Sequence, residues 1–408
     1  MKKRHDYFKF QLVYFIFVSA IGFFFPYFNV YLEQSLGFSG RDIGLVIAIS
    51  LLTSVAVSPL WGAISDKTGK YRLILKALLF TYSLAAFFLF QVNTLFLVLL
   101  FTTILEAVGI GMGPMLDVLA VDYCEKTGKD FGRLRIAASM GWVFGSYFAG
   151  FLVTTLFVDI QLAMFMPLIG LMLVACLLAF FLPDPQFKND QLDDLQNQEI
   201  SEKPRVTLLL KNKAFIFLMI FNFLTLSLID SVVAFAGNHL VLTLGAEPSA
   251  IGWMNVVAVA PEFIFFLFAT KIMNSVGFKR FYIIALIALI IRFVIYAVTS
   301  NIIIFLAAGA LAPVIMAAAV IGNFLYIKKH VQANLTGSAF MINAAILTLG
   351  RALFSLVFGL IYDWFGSFML FKFSLVFFAI ALLLLFKTKH FEVFDGKPLH
   401  ITQMEEIS

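Results

Sequence analysis

Charged side chains are scarce in this chain of 408 residues: Asp, Glu, Lys and Arg together make 13% of it, against 62% hydrophobic residues that include 50 Phe. That shortage excludes a water-soluble globule, because too few polar side chains are present to cover a core of that size. Cysteine is nearly absent. Cys124 and Cys176 lie in or beside different apolar stretches, so neither a disulfide framework nor a thiolate metal cluster is encoded, and no metal site or cofactor is expected. The Gly-rich phosphate loop followed by Lys and Ser or Thr is missing, which excludes direct drive by ATP. No cluster of His, Ser or paired acids gathers near one interface, so an enzyme acting on lipids is not expected. The basic excess, 29 Lys and Arg against 24 Asp and Glu, is scattered over short loops. This argues against nucleic acid as a partner and for anionic lipid headgroups.

What the chain does have is one apolar run after another. Stretches long enough for a helix to cross about 30 Å of hydrocarbon fall near 8–32, 43–65, 73–91, 95–122, 134–156 and 162–182, then near 214–238, 249–272, 281–299, 302–327, 338–362 and 367–386. The first is too long for a signal peptide and lacks a small-residue cleavage site, so it reads as a retained helix. Loops on one side hold Lys2, Lys3, Arg4 and Lys9, then Lys67, Lys70, Arg72 and Lys76, then Lys126, Lys129 and Arg133, and later Lys279, Arg280, Lys328, Lys329 and Lys387. The other side has Arg41 alone. The positive-inside rule then puts both termini in the cytoplasm of an inner or plasma membrane.

The longest polar stretch divides the chain. The expected organisation is an N-terminal six-helix bundle over 1–183, a cytoplasmic linker over 184–213, a C-terminal six-helix bundle over 214–389 and a cytoplasmic tail over 390–408. A shift of 208 residues lays Leu36-Gly37 on Leu244-Gly245, Ile43-Gly44 on Ile251-Gly252, and Gly69 on Gly277 without a gap. The fold class expected is an all-α membrane protein: twelve transmembrane helices in two pseudo-symmetric bundles. Parallel repeats of this kind place a solute site between two rocking halves.

Ionisable residues inside apolar spans are costly and mark function. The acids are Glu106, Asp117, Asp230 and Glu262; the cations are Arg135, Arg292 and Arg351. Four acids against three arginines leave one acid without a permanent partner, as proton exchange requires. Glu106 and Asp117 are eleven residues apart, about three turns, so they share one helix face at depths differing by roughly 16 Å. Gly109, Gly111 and Gly113 lie between them, where either a neighbouring helix or a solute could approach.

The loop Gly62-Ala-Ile-Ser-Asp66-Lys67-Thr-Gly69-Lys70-Tyr-Arg72 resembles the signature between helices two and three of the major facilitator superfamily. The resemblance implies that Gly62 allows close helix approach and that Asp66, Lys67, Gly69, Lys70 and Arg72 form a cytoplasmic latch. The second copy has Asn274 where the first has Asp66, and a weaker latch is expected there. The run from Asp117 through Phe131-Gly132-Arg133-Leu134-Arg135 to Trp142 resembles the oligosaccharide and proton symporter branch of that superfamily. There, an acid on helix four pairs with an Arg on helix five, and a Trp seven residues later stacks on the sugar. Asp117, Arg135 and Trp142 occupy those positions, which suits a sugar: directional hydrogen bonds to hydroxyls and an indole face against C–H groups. The resemblance extends to Tyr27 in Phe25-Pro26-Tyr27-Phe28, and to Asp230, Asn238 and Arg292.

One departure is large. The branch carries a His and a Glu on helix ten, and this chain has no ionisable residue there. Glu262 and Arg351 stand about one turn from the expected acid and cation on helices eight and eleven and could take over coupling, with Asp230 and Arg292 as a second pair. Glu262, Asp230 and Glu106 are the candidate proton carriers. The function expected is secondary active transport, a proton-coupled symport of a sugar or oligosaccharide, with a monomer as the family expectation. An aromatic carboxylate of the phenylpropionate type or a nucleoside is the alternative solute, and a non-transporting membrane sensor the remaining class.

Overall fold

The computed structural model describes residues 2–156, 158–183, 206–332 and 335–388. Most of the expected linker, 184–205, and the tail from 390 lie outside the described residues. Within them the chain is helical throughout, without a strand. The long helices are α1 Lys2–Gln34, α2 Gly40–Thr68, α3 Tyr71–Phe90, α4 Leu95–Thr127, α5 Phe131–Thr155 and α6 Ile160–Ala179. They continue with α7 Lys213–Val233, α8 Ser249–Val276, α9 Phe278–Val298, α10 Ile302–His330, α11 Thr336–Phe365 and α12 Ser367–Lys387. Eleven of these are long and apolar enough to cross a bilayer, and α8 is a twelfth of 28 residues.

Caps mark where each helix leaves the apolar run. Ser39 and Asp42 form a reciprocal capping box at the start of α2. Asp130 and Asp159 accept from Gly132 N and Gln161 N at 2.8 Å, and Asn212 and Asn301 start α7 and α10 in the same way. Glycine ends helices where the backbone turns left-handed, and here the repeat becomes physical. Gly37 and its sequence counterpart Gly245 have φ 69° and 70°, and Gly69 and its counterpart Gly277 have φ 63° and 92°.

Two compact units emerge: Met1–Lys203 with Glu247–Gly252, and Pro204–Ala246 with Trp253–Ser408. In the first, α1 packs on α5 and α6, α3 on α4 and α6, and α2 on α4. In the second, α7 packs on α11 and α12, and α9 on α10 and α12. Gly309 of α10 meets the backbone of α8 at Met254 and Ala258. Each pairing is the earlier one advanced by six helices. The outward faces are apolar: Phe80, Leu84 and Phe87 on α3, and Ile284, Ile287 and Ile291 on α9, are exposed large side chains at helical spacing. Hydrocarbon, not water, suits such stripes.

The units differ in regularity. α1 and α4 are uninterrupted over 33 residues each. Their counterparts are not. A π-helical turn, Phe223–Ser227, breaks α7, and α10 contains a 3-10 turn at Gly309–Leu311 and a π turn at Ala318–Gly322. Another π turn, His239–Thr243, follows α7.

Candidate functional site

The expected contact between α4 and α5 is formed. Arg135 Nη1 donates to Asp117 Oδ2 at 2.9 Å, with the Arg135 side chain 57% and that of Asp117 31% exposed. The other carboxylate oxygen, Oδ1, accepts from the Tyr14 hydroxyl of α1 at 2.6 Å. Tyr14 is a contact of this pair that the sequence does not flag: it lies 103 positions from Asp117, with no spacing to betray it. Trp142 stands seven residues beyond Arg135 on α5, hence on the same face about 10 Å along the axis, and is half-buried.

A glycine seam holds α5 in this register. A Cβ at Gly141 would collide with the carbonyl oxygen of Phe15, and one at Gly145 with that of Ser19, so the α1 and α5 backbones touch directly. One turn on, Gly22 of α1 lies against the Trp142 carbonyl, where an added Cβ would come within 2.7 Å. Tyr27 completes the seam. It is 1% exposed and its hydroxyl donates to Ser146 O at 2.6 Å, so that group is engaged by α5.

The glycines of α4 divide into two kinds. Gly109 accommodates the Tyr82 ring, and Gly111 the side chains of Leu78 and Trp61, whose indole donates to Ala107 O at 2.6 Å. These two serve helix packing. At Gly113 a Cβ would meet nothing within 4 Å. Glu106 is half-buried and within electrostatic reach of Tyr82.

In the second unit the pairing differs from expectation. The sequence offers Arg292 as the partner of Asp230, but Arg351 Nε lies 3.3 Å from Asp230 Oδ2. The cause is another seam: α7 and α11 meet where Gly350 presses on Ser227, which carries the adjacent Arg351 to Asp230. Ser231 reinforces the join by donating to Arg351 O at 3.0 Å. Arg292, 5% exposed, donates through Nε to the Tyr296 hydroxyl at 3.1 Å and lies over that ring. Glu262 is half-buried on α8, and among the described residues it has neither a hydrogen-bond nor an ion-pair partner. Asn238 is fully buried just beyond α7. Its neighbour His239, another residue the sequence did not flag, is enclosed by Phe305, Phe368 and Phe371 with Nδ1 2.7 Å from Ser367 Oγ.

The loop between α2 and α3 has local tasks. Asp66 Oδ1 accepts from the Tyr71 hydroxyl at 2.8 Å, and Gly69 closes α2 with its N–H on Ser65 O. Arg72 reaches the end of α6, donating to Leu182 O at 2.7 Å. Lys67 and Lys70 are exposed. A Cβ at Gly62 would meet nothing within 4 Å, so the close approach implied for that glycine is not formed among the described residues. The second copy repeats the cap, with Lys279 of α9 donating to Thr388 O at 2.8 Å. No group of three or more His, Cys, Asp or Glu among the described residues is placed to hold a metal ion.

Comparison with known proteins adds an independent line. The MFS_1 like family matches residues 7–373. The maltose permease of Geobacillus stearothermophilus is 26% identical over 293 residues, 71% of this chain and 70% of that protein. Among solved structures, the nucleoside transporter NupG superposes with a TM-score of 0.78 at 18% identity, covering 94% of this chain and all of that one. A bacterial homolog of the human lysosomal transporter Spinster, in an inward-facing and unoccupied conformation, gives 0.71 at 14% identity, covering 96% and 98%.

Proposed function

The chain belongs to the MFS_1 like family and is an integral membrane transporter of the major facilitator fold, not an enzyme; from that premise we propose that it takes up a sugar or oligosaccharide together with protons by alternating access. The observation that carries the solute is the Asp117–Arg135 contact with Trp142 on the same face of α5. The guanidinium supplies directional hydrogen bonds to hydroxyls, and an indole two turns on supplies an apolar face for the ring. Likeness to a protein named maltose permease supports the same solute class.

Coupling falls to Glu262. Asp117 and Asp230 each have an arginine, and Glu262 has no such partner among the described residues. A carboxyl group in that setting can change its protonation as access alternates. Asp230 with Arg351 in the second unit, Arg292 on α9 and Glu106 in the first unit are the further groups assigned to coupling. Asp66, Lys67, Lys70 and Arg72 act as a cytoplasmic latch that reinforces one access state. Both termini are cytoplasmic, the membrane is the plasma membrane, and the protein works as a monomer over bundles 1–183 and 214–389.

Arg292 favours a second reading. A nearly buried guanidinium whose partner is a neutral tyrosine can accept an anion, and an aromatic carboxylate is then the solute. The deciding experiment measures thermal stabilisation and vesicle uptake of purified protein against galactosides, glucosides, nucleosides and aromatic acids. The expected outcome is stabilisation by a sugar, lost in Arg135→Ala. Stabilisation by aromatic carboxylates alone, lost in Arg292→Ala, would replace the first reading with the second.

A further inference from the structure

A carboxylate facing a guanidinium in the open is commonly held by two parallel bonds, both oxygens to two nitrogens. Asp117 is not held this way. Tyr14 occupies Oδ1 at 2.6 Å, and Arg135 reaches Oδ2 with a single bond from Nη1 at 2.9 Å. Tyr14 is 3% exposed, so its hydroxyl is fixed by the packing of α1. That packing is chiefly on α5 and α6, so the bridge to α4 is not the by-product of a tight seam between α1 and α4.

Donor accounting gives the consequence. A guanidinium has five N–H donors, and the bond to Asp117 uses one of them on a side chain 57% exposed. We infer that Tyr14 is a positioning residue of the solute site: by taking Oδ1 it confines Asp117 to one bond with Arg135 and keeps the remaining guanidinium donors for oxygen acceptors of the solute. Without the hydroxyl, the carboxylate rotates to the two-bond arrangement, and a solute must displace a stronger pair to bind. Asp117 then supplies orientation more than direct contact. The site reads acceptor oxygens, which sugar hydroxyls present in number.

This inference rests on Asp117 and Arg135 being solute-binding groups, and the test separates the two. In vesicles with the full chain and maltose as the probe, Tyr14→Phe is expected to raise the half-saturation concentration about tenfold while the maximal rate stays near wild type, as the loss of one hydrogen bond to a charged group predicts. The same substitution in an Asp117→Asn background should change nothing further, because there is no carboxylate left to orient. In an Arg135→Lys background its effect should shrink below about twofold, because an ammonium lacks the fork that two parallel bonds require. An unchanged half-saturation in Tyr14→Phe, or a tenfold effect persisting without Asp117, would overturn the positioning role. If Tyr14→Phe folds poorly, Arg135→Lys alone decides: half-saturation close to that of Arg135→Ala means a fork is needed, and wild-type half-saturation overturns the inference. Wild-type half-saturation in Arg135→Ala would instead remove the solute site itself.

Discussion

Where Tyr14 of the first unit reaches toward Asp117 and Arg135, the second unit carries Asn222, 208 positions on, whose amide donates to Asn343 Oδ1 at 2.8 Å. Asn343 is the residue that the same shift lays on Arg135. One level is thus charged in the first unit and neutral in the second. Eight residues further along α1, roughly 12 Å, the roles reverse. Gly22 lies against the Trp142 backbone, and its counterpart Asp230 pairs with Arg351. The scaffold between these levels is common to both, since Ser19 and its counterpart Ser227 each face a glycine of the partner helix. A duplicated frame has therefore been kept while its ion pair moved by two turns. Under the proposed function, recognition at Asp117 and Arg135 and coupling at Glu262 fall to different units.

That division is sharpened most by Glu262→Gln. It is expected to abolish uphill accumulation while exchange across the membrane survives, since exchange need not release a proton; equal loss of both would return Glu262 to a folding or binding role. The second test addresses the common frame. Gly145→Ala forces a Cβ into the Ser19 carbonyl and should cost about 1–3 kcal/mol in an unfolding measurement in detergent. Gly62→Ala, with open space around it, should stay within about 0.5 kcal/mol. Equal effects would mean the seam does not hold α1 to α5. The smallest difference concerns the second ion pair, whose side chains are 37% and 48% exposed. Arg351→Ala should lower stability by about 1 kcal/mol, and Asp230→Asn with Arg351→Gln should recover part of it. A double variant less stable than the single one would show that these groups do not act as a pair.

The spans and the repeat were legible from run length and a constant shift, and the Asp117–Arg135 contact from the resemblance of the run between Asp117 and Trp142 to the symporter branch. The Asp230–Arg351 pairing had no such signature. Arg292 and Arg351 are both intramembrane cations of one unit, and only the contact of Gly350 with Ser227 decides between them. Gly141 and Gly145, spaced by four, were a readable sign of a helix seam, and they account for how α5 is held. Tyr14 was hidden because a tyrosine on an aromatic-rich helix looks like core until its hydroxyl is seen on Asp117. The tasks of Arg72 and Lys279 were obscured for a different reason. Loop cations that obey the positive-inside rule look alike in sequence, and capping a distant helix depends on where that helix ends.

The contact of α1 with α5 has a thermodynamic side. Where Gly141 and Gly145 meet the Phe15 and Ser19 carbonyls, no rotamer is frozen on the glycine side, so ordering that contact loses little side-chain entropy. Its attraction comes from dispersion and short C–H to oxygen contacts, which fade steeply with separation. A join of that kind has little compliance: it is either seated or lost. α1 and α5 should then transmit torque as a single stiff lever, so that a displacement at Tyr27 is delivered undiminished to Tyr14 and Arg135 at the other end.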